Sequence, residues 1–128
     1  MLALGLKKET ADMYYTNASF SFEKDKFHLE CKDYSLLQKE VIFQICPFTF
    51  IPAWSLHRLI EMMPQEISYE DSTLILGVFG DGVYYADNEY GEVFKDFDGH
   101  LYDCVVKCIE WLIKEGHFNK EYLEEGVI

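Results

Sequence analysis

The sequence predicts an α+β fold in which an antiparallel, aromatic-rich sheet packs on two main helices, at about residues 52–63 and 101–115. Two helical stripes and a series of alternating segments lead to this prediction. Apolar residues three, four and seven positions apart share one face of a helix, whereas strict alternation is typical of a half-buried strand. The two stripes are Leu56, Leu59, Ile60 and Met63, and Leu101, Val105, Cys108, Ile109 and Leu112.

Length and composition bound the class of protein. A chain of 128 residues is long enough for one hydrophobic core, so we predict a single domain over residues 1–128. Hydrophobic residues make up 49% of the chain and aromatic residues 16%, which excludes the disordered class. No apolar run approaches the roughly 20 residues that a helix needs to cross a bilayer. The apolar start, residues 1–6, is too short for a signal peptide, so we predict a cytoplasmic protein without membrane contact.

The net charge of −12 comes entirely from the second half of the chain. Residues 1–60 hold seven acidic and seven basic side chains, whereas residues 61–128 hold sixteen acidic and four basic ones. Such a field repels nucleic acid and attracts basic partners, so we predict no direct nucleic-acid binding. An acidic surface that only keeps the protein soluble is the alternative explanation.

The first part of the chain contains three segments, which predict the end of a helix, a β-hairpin and a segment with both helical and strand-like residues. Residues 1–15 are typical of a helix that stops near Gly5. Residues 19–31 alternate apolar and polar side chains around a Lys-Asp-Lys turn, which predicts a β-hairpin. Residues 34–45 begin with helix-favouring leucines and end in a β-branched run, so we predict that their second half is a strand.

The central helix is predicted over residues 52–63, between two prolines. Pro52 suits a first helical turn, which needs no amide donor, and Pro64 prevents continuation beyond Met63. This helix carries the apolar stripe on which the strands are expected to pack.

A meander and a second helix complete the prediction. Its three strands are expected at residues 73–79, 83–86 and 92–97, separated by glycine-containing turns. The last helix is expected to begin at Asp98 or Gly99 and to end at Gly116, because glycine commonly follows a helix C-terminus. A loose turn is expected near the end of the chain.

Three stretches of the chain resemble a family of small, uncharacterised proteins from bacterial prophage and mobile-element regions. The matching residues are 4–6 with 9–14, 51–56 with 59–60 and 63–64, and Asp103 with 109–113 and Gly116. The hairpins between these stretches are not matched. The resemblance implies a mobile-element origin and, because a helical stretch precedes residue 4 in the family, an earlier start than Met1. It implies no activity, cofactor or catalytic residue.

Cysteine, histidine and acidic residues suggest metal or nucleophile chemistry, each with a plainer alternative. His100, Cys104 and Cys108 share one side of the last helix, which suits zinc, with a fourth ligand among His28, Cys31, Cys46 and His57. Zinc sites usually pair thiols two residues apart, so we favour two core cysteines beside a histidine. A cysteine with His57 suits a nucleophile and base, but a solvated histidine is the interpretation we prefer. Residues 96–99 match only part of a calcium loop, so we predict no metal and no cofactor.

Two sets of residues are candidates for a binding surface. The aromatic set precedes or begins the central helix and consists of Phe48, Phe50 and Trp54. Exposed aromatic side chains commonly anchor a partner, although the same residues can instead close one end of a core. The acidic set clusters in predicted turns and consists of Asp81, Asp87, Glu89, Glu92, Asp96 and Asp98.

The sequence therefore favours a non-enzymatic protein-interaction module of mobile-element origin. Its partner is expected to be another protein or a second copy of the chain in a homodimer. The alternative is an acidic decoy that mimics nucleic acid and occupies the Lys- and Arg-lined cleft of a basic host protein. A metal-dependent enzyme ranks third.

Overall fold

The structure, a computed structural model, describes residues 4–16, 28–39, 50–87, 91–97 and 99–125. It confirms the α+β class, with antiparallel strands in two sheets where a single sheet was predicted. The chain divides into two compact units. Unit 1 comprises Met1–Arg58 with Tyr122–Glu124, and unit 2 comprises Leu59–Glu121 with Glu125–Ile128. One domain over the whole chain stays a prediction.

Unit 1 contains a three-stranded antiparallel sheet in the order β2-β1-β3. Its strands are β1 (Met13–Thr16), β2 (His28–Glu30) and β3 (Phe50–Ala53). Strand β1 overlaps the end of residues 1–15, for which a helix that stops near Gly5 and a further short turn at residues 10–13 were predicted. Its side chains alternate, with Tyr14 and Thr16 buried, and this period of two fits a strand and not a helix.

The predictions for the segment between β1 and β3 fall partly outside the described residues. The hairpin predicted over residues 19–31 is described only from residue 28, and there β2 pairs with β1. Helix α1 (Tyr34–Leu37) confirms the helical character at the start of residues 34–45, whereas the strand predicted for their second half lies outside the described residues. The backbone N–H of Tyr34 donates to the carbonyl oxygen of Ala11 at 3.0 Å, which fastens α1 to the chain before β1.

The central helix, α2 (Leu56–Met62), is shorter than predicted at its start. It ends before Pro64 as expected, but Pro52 lies in β3 and not in the helix. An edge strand tolerates proline, because its open side needs no ladder donor, and β3 is at the edge of its sheet. Ser55 begins the helix instead: its Oγ accepts the backbone N–H of Arg58 at 3.1 Å, as an N-cap serine does.

Unit 1 is closed by the return of the chain near its C-terminal end. Leu6 and Leu123, both buried, form an antiparallel bridge, and the N–H of Lys7 donates to the carbonyl oxygen of Tyr122 at 2.8 Å. The loose turn predicted in this region is present as the 3₁₀ turn Lys120–Tyr122. These contacts hold the first and last described stretches of unit 1 side by side.

Unit 2 contains a four-stranded antiparallel meander in the order β4-β5-β6-β7. The last three strands confirm the predicted ones, whereas β4 was not predicted. The strands are β4 (Glu66–Tyr69), β5 (Ser72–Phe79), β6 (Gly82–Asp87) and β7 (Gly91–Asp96).

The last helix, α3 (Leu101–Lys114), confirms the second predicted helix, although its N-cap residue is His100. Gly116 takes a positive φ of 78° beyond its C-terminus. The N–H of His117 donates to the carbonyl oxygen of Leu112 at 2.8 Å, which is the 6→1 hydrogen bond of a Schellman motif. The predicted stripe of α3 is buried except for Leu101, which is half-buried.

Aromatic rings join α3 to one face of the unit 2 sheet. The ring of Trp111 lies 5.8 Å from that of Tyr85 and 5.2 Å from that of Phe94, measured between centroids. The Tyr85 hydroxyl donates to the carbonyl oxygen of Pro64 at 2.6 Å, so its polar end is satisfied inside the core. None of the helices in the described part of the chain has the length and apolar character that crossing a membrane requires.

Candidate functional site

Trp54, proposed from the sequence as part of a partner-binding surface, is buried. It is 2% exposed, and its indole N–H donates to Oγ1 of Thr10 at 2.8 Å. The Thr10 hydroxyl donates in turn to the carbonyl oxygen of Lys7 at 2.6 Å. A covered ring whose single donor is satisfied leaves no surface for a partner. Trp54 is therefore corrected to a core residue, which is the alternative that the sequence left open.

The other two members of the aromatic set have different outcomes. Phe50 is half-buried in β3, and its ring packs edge-on against Tyr14 with 5.9 Å between centroids. Burial, and secondarily the charge of Glu30, raises the pKa of Tyr14, as expected of a sheltered phenol. Phe48 lies outside the described residues. Partner binding by these two phenylalanines stays a prediction.

A network of polar side chains surrounds Trp54 in unit 1. One carboxylate oxygen of Asp12 accepts the backbone N–H of Ser55 at 2.8 Å, and the other accepts the Ser55 hydroxyl. Nε of Arg58 donates to the carbonyl oxygen of Thr10 at 2.8 Å, and its guanidinium lies 5.7 Å from the centroid of the Tyr122 ring. Charged groups that bond to the backbone in this way fix the geometry of a fold.

This network involves two of the stretches that carry the family resemblance. Residues 9–14 supply Thr10 and Asp12, and residues 51–56 supply Trp54 and Ser55. The contacts give these four side chains a structural role in unit 1.

Two members of the acidic set are engaged within unit 2. Asp87 accepts the hydroxyl of Ser72, and a carboxylate oxygen of Asp96 lies 3.6 Å from Nζ of Lys107 on α3. Asp96 pairs with Val83 in the sheet register, which places it on the face that α3 covers. These two carboxylates are therefore not displayed together with the rest of the set.

The remaining acidic residues do not complete a single surface. Asp81 is exposed in the turn between β5 and β6, and Glu92 is exposed on β7. Glu89 and Asp98 lie outside the described residues. Among the residues that the structure does describe, the acidic set is thus spread over both faces of the sheet and one of its turns.

The cysteines of α3 are placed as core residues. Cys104 and Cys108 are 1% and 0% exposed, whereas His100 is exposed. Burial, and secondarily the charge of Asp96, raises the pKa of Cys108 to about 12, so its thiol is protonated at neutral pH. Across the described ranges, no group of three or more His, Cys, Asp or Glu side chains is arranged to hold a metal ion. His57 is exposed on α2.

The two faces of the unit 2 sheet differ in exposure. On one face α3 packs on β6, where Val83 and Tyr85 are both 0% exposed. Because side chains alternate along each strand, the strand register groups the intervening residues on the opposite side. We call that side the outer face, and its members include Ile75, Gly77, Phe79, Gly82, Tyr84, Ala86, Glu92 and Lys95.

An open groove runs over the outer face. Phe79 and Tyr84 stack with 5.6 Å between centroids and 22° between planes, and the ring of Phe97 lies 6.1 Å from that of Phe79. We call this space the aromatic groove. Its volume is about 510 Å³, and it is lined by Phe79, Tyr84, Ala86, Glu92, Lys95 and Phe97.

Two glycines allow the rings to lie on the sheet. A Cβ on Gly77 would stand 2.2 Å from the Tyr84 ring, and one on Gly82 would stand 2.4 Å from the Phe97 ring. Each ring therefore covers a glycine of the adjacent strand. A larger residue at either glycine position would displace the ring.

A β-bulge places the two charged members of the groove side by side. The register of β6 and β7 shifts between Tyr85 and Ala86, so that Glu92 and Lys95 fall on the same face although they are three residues apart. Their side chains form an ion pair of 3.3 Å, and Nζ of Lys95 also lies 5.7 Å from the centroid of the Phe97 ring. The bulge thus adds a carboxylate and an ammonium to an aromatic surface.

Sequence reasoning missed the aromatic groove. Strand β5 is apolar on both faces, so Ile75 and Phe79 are hidden in a continuous apolar run with Leu74 and Leu76. The one available indication was glycine within a strand, at Gly77, which often marks a close approach to the backbone.

Comparisons with known proteins assign neither a family nor a function to this chain. No family model, no curated protein and no solved structure matches this chain. The resemblance to mobile-element proteins therefore stays a prediction, and the function has to be argued from the described side chains.

Proposed function

We propose that this chain is a non-enzymatic protein-interaction module that binds a basic protein partner through the outer face of the unit 2 sheet. The observation that carries the proposal is the exposure of two large apolar side chains on that face: Ile75 is 57% and Phe79 52% exposed. Contiguous exposed apolar surface, flanked by polar residues, commonly marks a site of protein association. Here the flanking residues are Glu92 and Lys95.

Charge favours a basic protein over a second copy of the chain. Residues 61–128, which include the whole outer face, carry sixteen acidic and four basic side chains. Two copies would bring like charges together, whereas a basic partner would be attracted and oriented. A homodimer through this face is accordingly the less favoured form of the same module.

The proposal changes the surface that the sequence suggested, not the class of function. Trp54 is a core residue, and the exposed aromatic surface is supplied by Phe79 and its neighbours. The decoy hypothesis rests on the carboxylates of residues 61–128 and stays a prediction, although Asp96 lies on the face that α3 covers and Glu92 on the outer face. A mobile-element origin and a cytoplasmic location stay predictions.

The proposal is tested by affinity capture from a bacterial lysate with three tagged forms of the protein. The wild type is compared with Phe79→Ser, on the outer face, and with Leu36→Ser, a matched loss of a 49% exposed side chain in unit 1. We expect the wild type and Leu36→Ser to retain the same basic protein, and Phe79→Ser to retain at least tenfold less of it. Equal capture by all three forms would overturn the proposal.

Light scattering on the same samples tests the choice of occupant. We expect monomers for all three forms. A wild-type dimer that Phe79→Ser dissociates would show that a second copy occupies the outer face, and would contradict binding of a basic partner there.

A further inference from the structure

We propose that the aromatic groove receives an arginine side chain of the partner, and that Lys95 occupies this position in the free protein. The inference rests on the proposed function, because it names the group of the basic partner that the outer face recognises. Its premise is that the groove already holds one cation of its own.

The contacts of Lys95 describe a cation site. Its Nζ lies 5.7 Å from the centroid of the Phe97 ring and 3.3 Å from a carboxylate oxygen of Glu92. A cation within about 6 Å of an aromatic centroid is attracted by the negative face of the ring. The groove thus combines an aromatic face and a carboxylate around one positive charge.

The site is shaped by the backbone. The bulge in β7 brings Glu92 to the same face as Lys95, and Gly82 lets the Phe97 ring lie on the sheet. Gly77 does the same for Tyr84, which stacks on Phe79. Three separate backbone features therefore support a flat aromatic surface next to a carboxylate.

The size and shape of the groove favour arginine as the visiting cation. Its volume of about 510 Å³, with Lys95 in place as one of the lining residues, is within the range of pockets that hold whole ligands. A guanidinium is planar, stacks on aromatic faces and forms two parallel hydrogen bonds with one carboxylate. The stacked rings of Phe79 and Tyr84 and the carboxylate of Glu92 offer both kinds of contact.

Lys95 can be displaced by such a ligand. Its side chain is 57% exposed and that of Glu92 is 49% exposed, and exposed ion pairs of this kind hold their geometry weakly. An arginine that arrives on a partner would release the ammonium to solvent and take over the Glu92 carboxylate. Lys95 then acts as a competitor that lowers the affinity of the groove for other cations.

The test uses two small probes and NMR spectroscopy on the full chain. N-acetyl-arginine amide carries the guanidinium, and N-acetyl-citrulline amide replaces it with a neutral group of the same shape. We expect saturable shifts of the Tyr84 and Phe97 ring protons with the arginine probe only. The same shifts with both probes, or none with either, would overturn the inference.

Variants of the two charged residues provide the second measurement. Lys95→Met should bind the arginine probe at least threefold more tightly than the wild type, because the competitor is gone. Glu92→Gln should bind it at least threefold more weakly. Lys107→Met is the matched control: Lys107 is also 57% exposed and paired with a carboxylate, but its partner Asp96 lies on the face that α3 covers.

The control separates a local effect from one of net charge. We expect Lys107→Met to bind the arginine probe as the wild type does, and an increase equal to that of Lys95→Met would overturn the inference. If Phe79→Ser loses the partner while the arginine probe causes no shifts, the inference fails and the proposed function stands. If Phe79→Ser keeps the partner, the proposed function itself fails.

Discussion

Trp54 in unit 1 and Phe79 in unit 2 both carry a large aromatic side chain, but one ring is buried and the other is exposed. Trp54 is 2% exposed and donates its indole N–H to Thr10. Phe79 is 52% exposed and meets other rings on the surface of a sheet. The comparison shows that residue type alone does not determine whether an aromatic ring is buried or remains at the surface after the strands have paired.

The polar groups around the two side chains differ in the same way. Beside Trp54, Asp12 and Arg58 hydrogen-bond to the backbone of their own unit. Beside Phe79, Glu92 and Lys95 pair with each other at the surface. The first arrangement stabilises the fold, and the second leaves charged groups that a ligand can reach. Substitutions in the network around Trp54 should therefore change stability, and substitutions on the outer face should change binding.

The largest expected effect is that of Trp54→Ala. Removing a buried aromatic ring leaves a cavity, so we expect the free energy of unfolding to fall by about 3–5 kcal/mol in urea titrations. Phe79→Ala, on the exposed face, should change it by less than about 0.5 kcal/mol. Similar losses for both variants would contradict the contrast between the two aromatic residues.

The next effect concerns the carboxylate that holds the start of α2. Asp12→Ala removes the acceptor of the Ser55 N–H and hydroxyl, and we expect a loss of about 1–3 kcal/mol in unfolding free energy. Asp33→Ala is the control, because Asp33 precedes α1 without a side-chain capping bond. If both variants unfolded at the same urea concentration, the network around Trp54 would not be a source of stability.

A smaller effect is the pH dependence of the free energy of unfolding, which should report on a thiol under the covered face of the unit 2 sheet. Burial raises the pKa of Cys108 from 9.0 to about 12, so above pH 9 the unfolded chain loses a proton that the folded chain keeps. The free energy of unfolding should therefore fall as pH rises, by up to about 1.4 kcal/mol per pH unit.

Urea titrations at pH 8, 9 and 10 measure this slope. Cys108→Ala should have a shallower slope than the wild type, because the group whose pKa burial raises is gone. A Cys108→Ala slope as steep as that of the wild type would show that burial of this thiol does not shift its titration.

The sequence predicted the elements whose patterns are local. The 3.6-residue stripe and Gly116 defined α3, and two apolar runs on either side of the glycine-containing turn at residues 80–82 defined β5 and β6. It misplaced Pro52, because a proline suits both a helix start and an edge strand, and only pairing with β1 distinguishes them.

The candidate site was beyond sequence reasoning for a related reason. Whether Glu92 and Lys95 share a face depends on a bulge in β7, which an alternating pattern does not reveal. Whether Trp54 or Phe79 is exposed depends on which segments pack over each ring. Both are consequences of long-range pairing, so the surface predicted from residue types alone included the buried Trp54 and omitted the aromatic groove.

The measurement that tests the central claim most directly is photo-crosslinking at position 79. A benzoylphenylalanine placed there is compared with one placed at position 36, which is similarly exposed in unit 1. We predict an adduct with a basic protein from position 79 and none from position 36. An adduct with another protein that forms from position 36 and not from position 79 would contradict the assignment of the outer face as the binding surface.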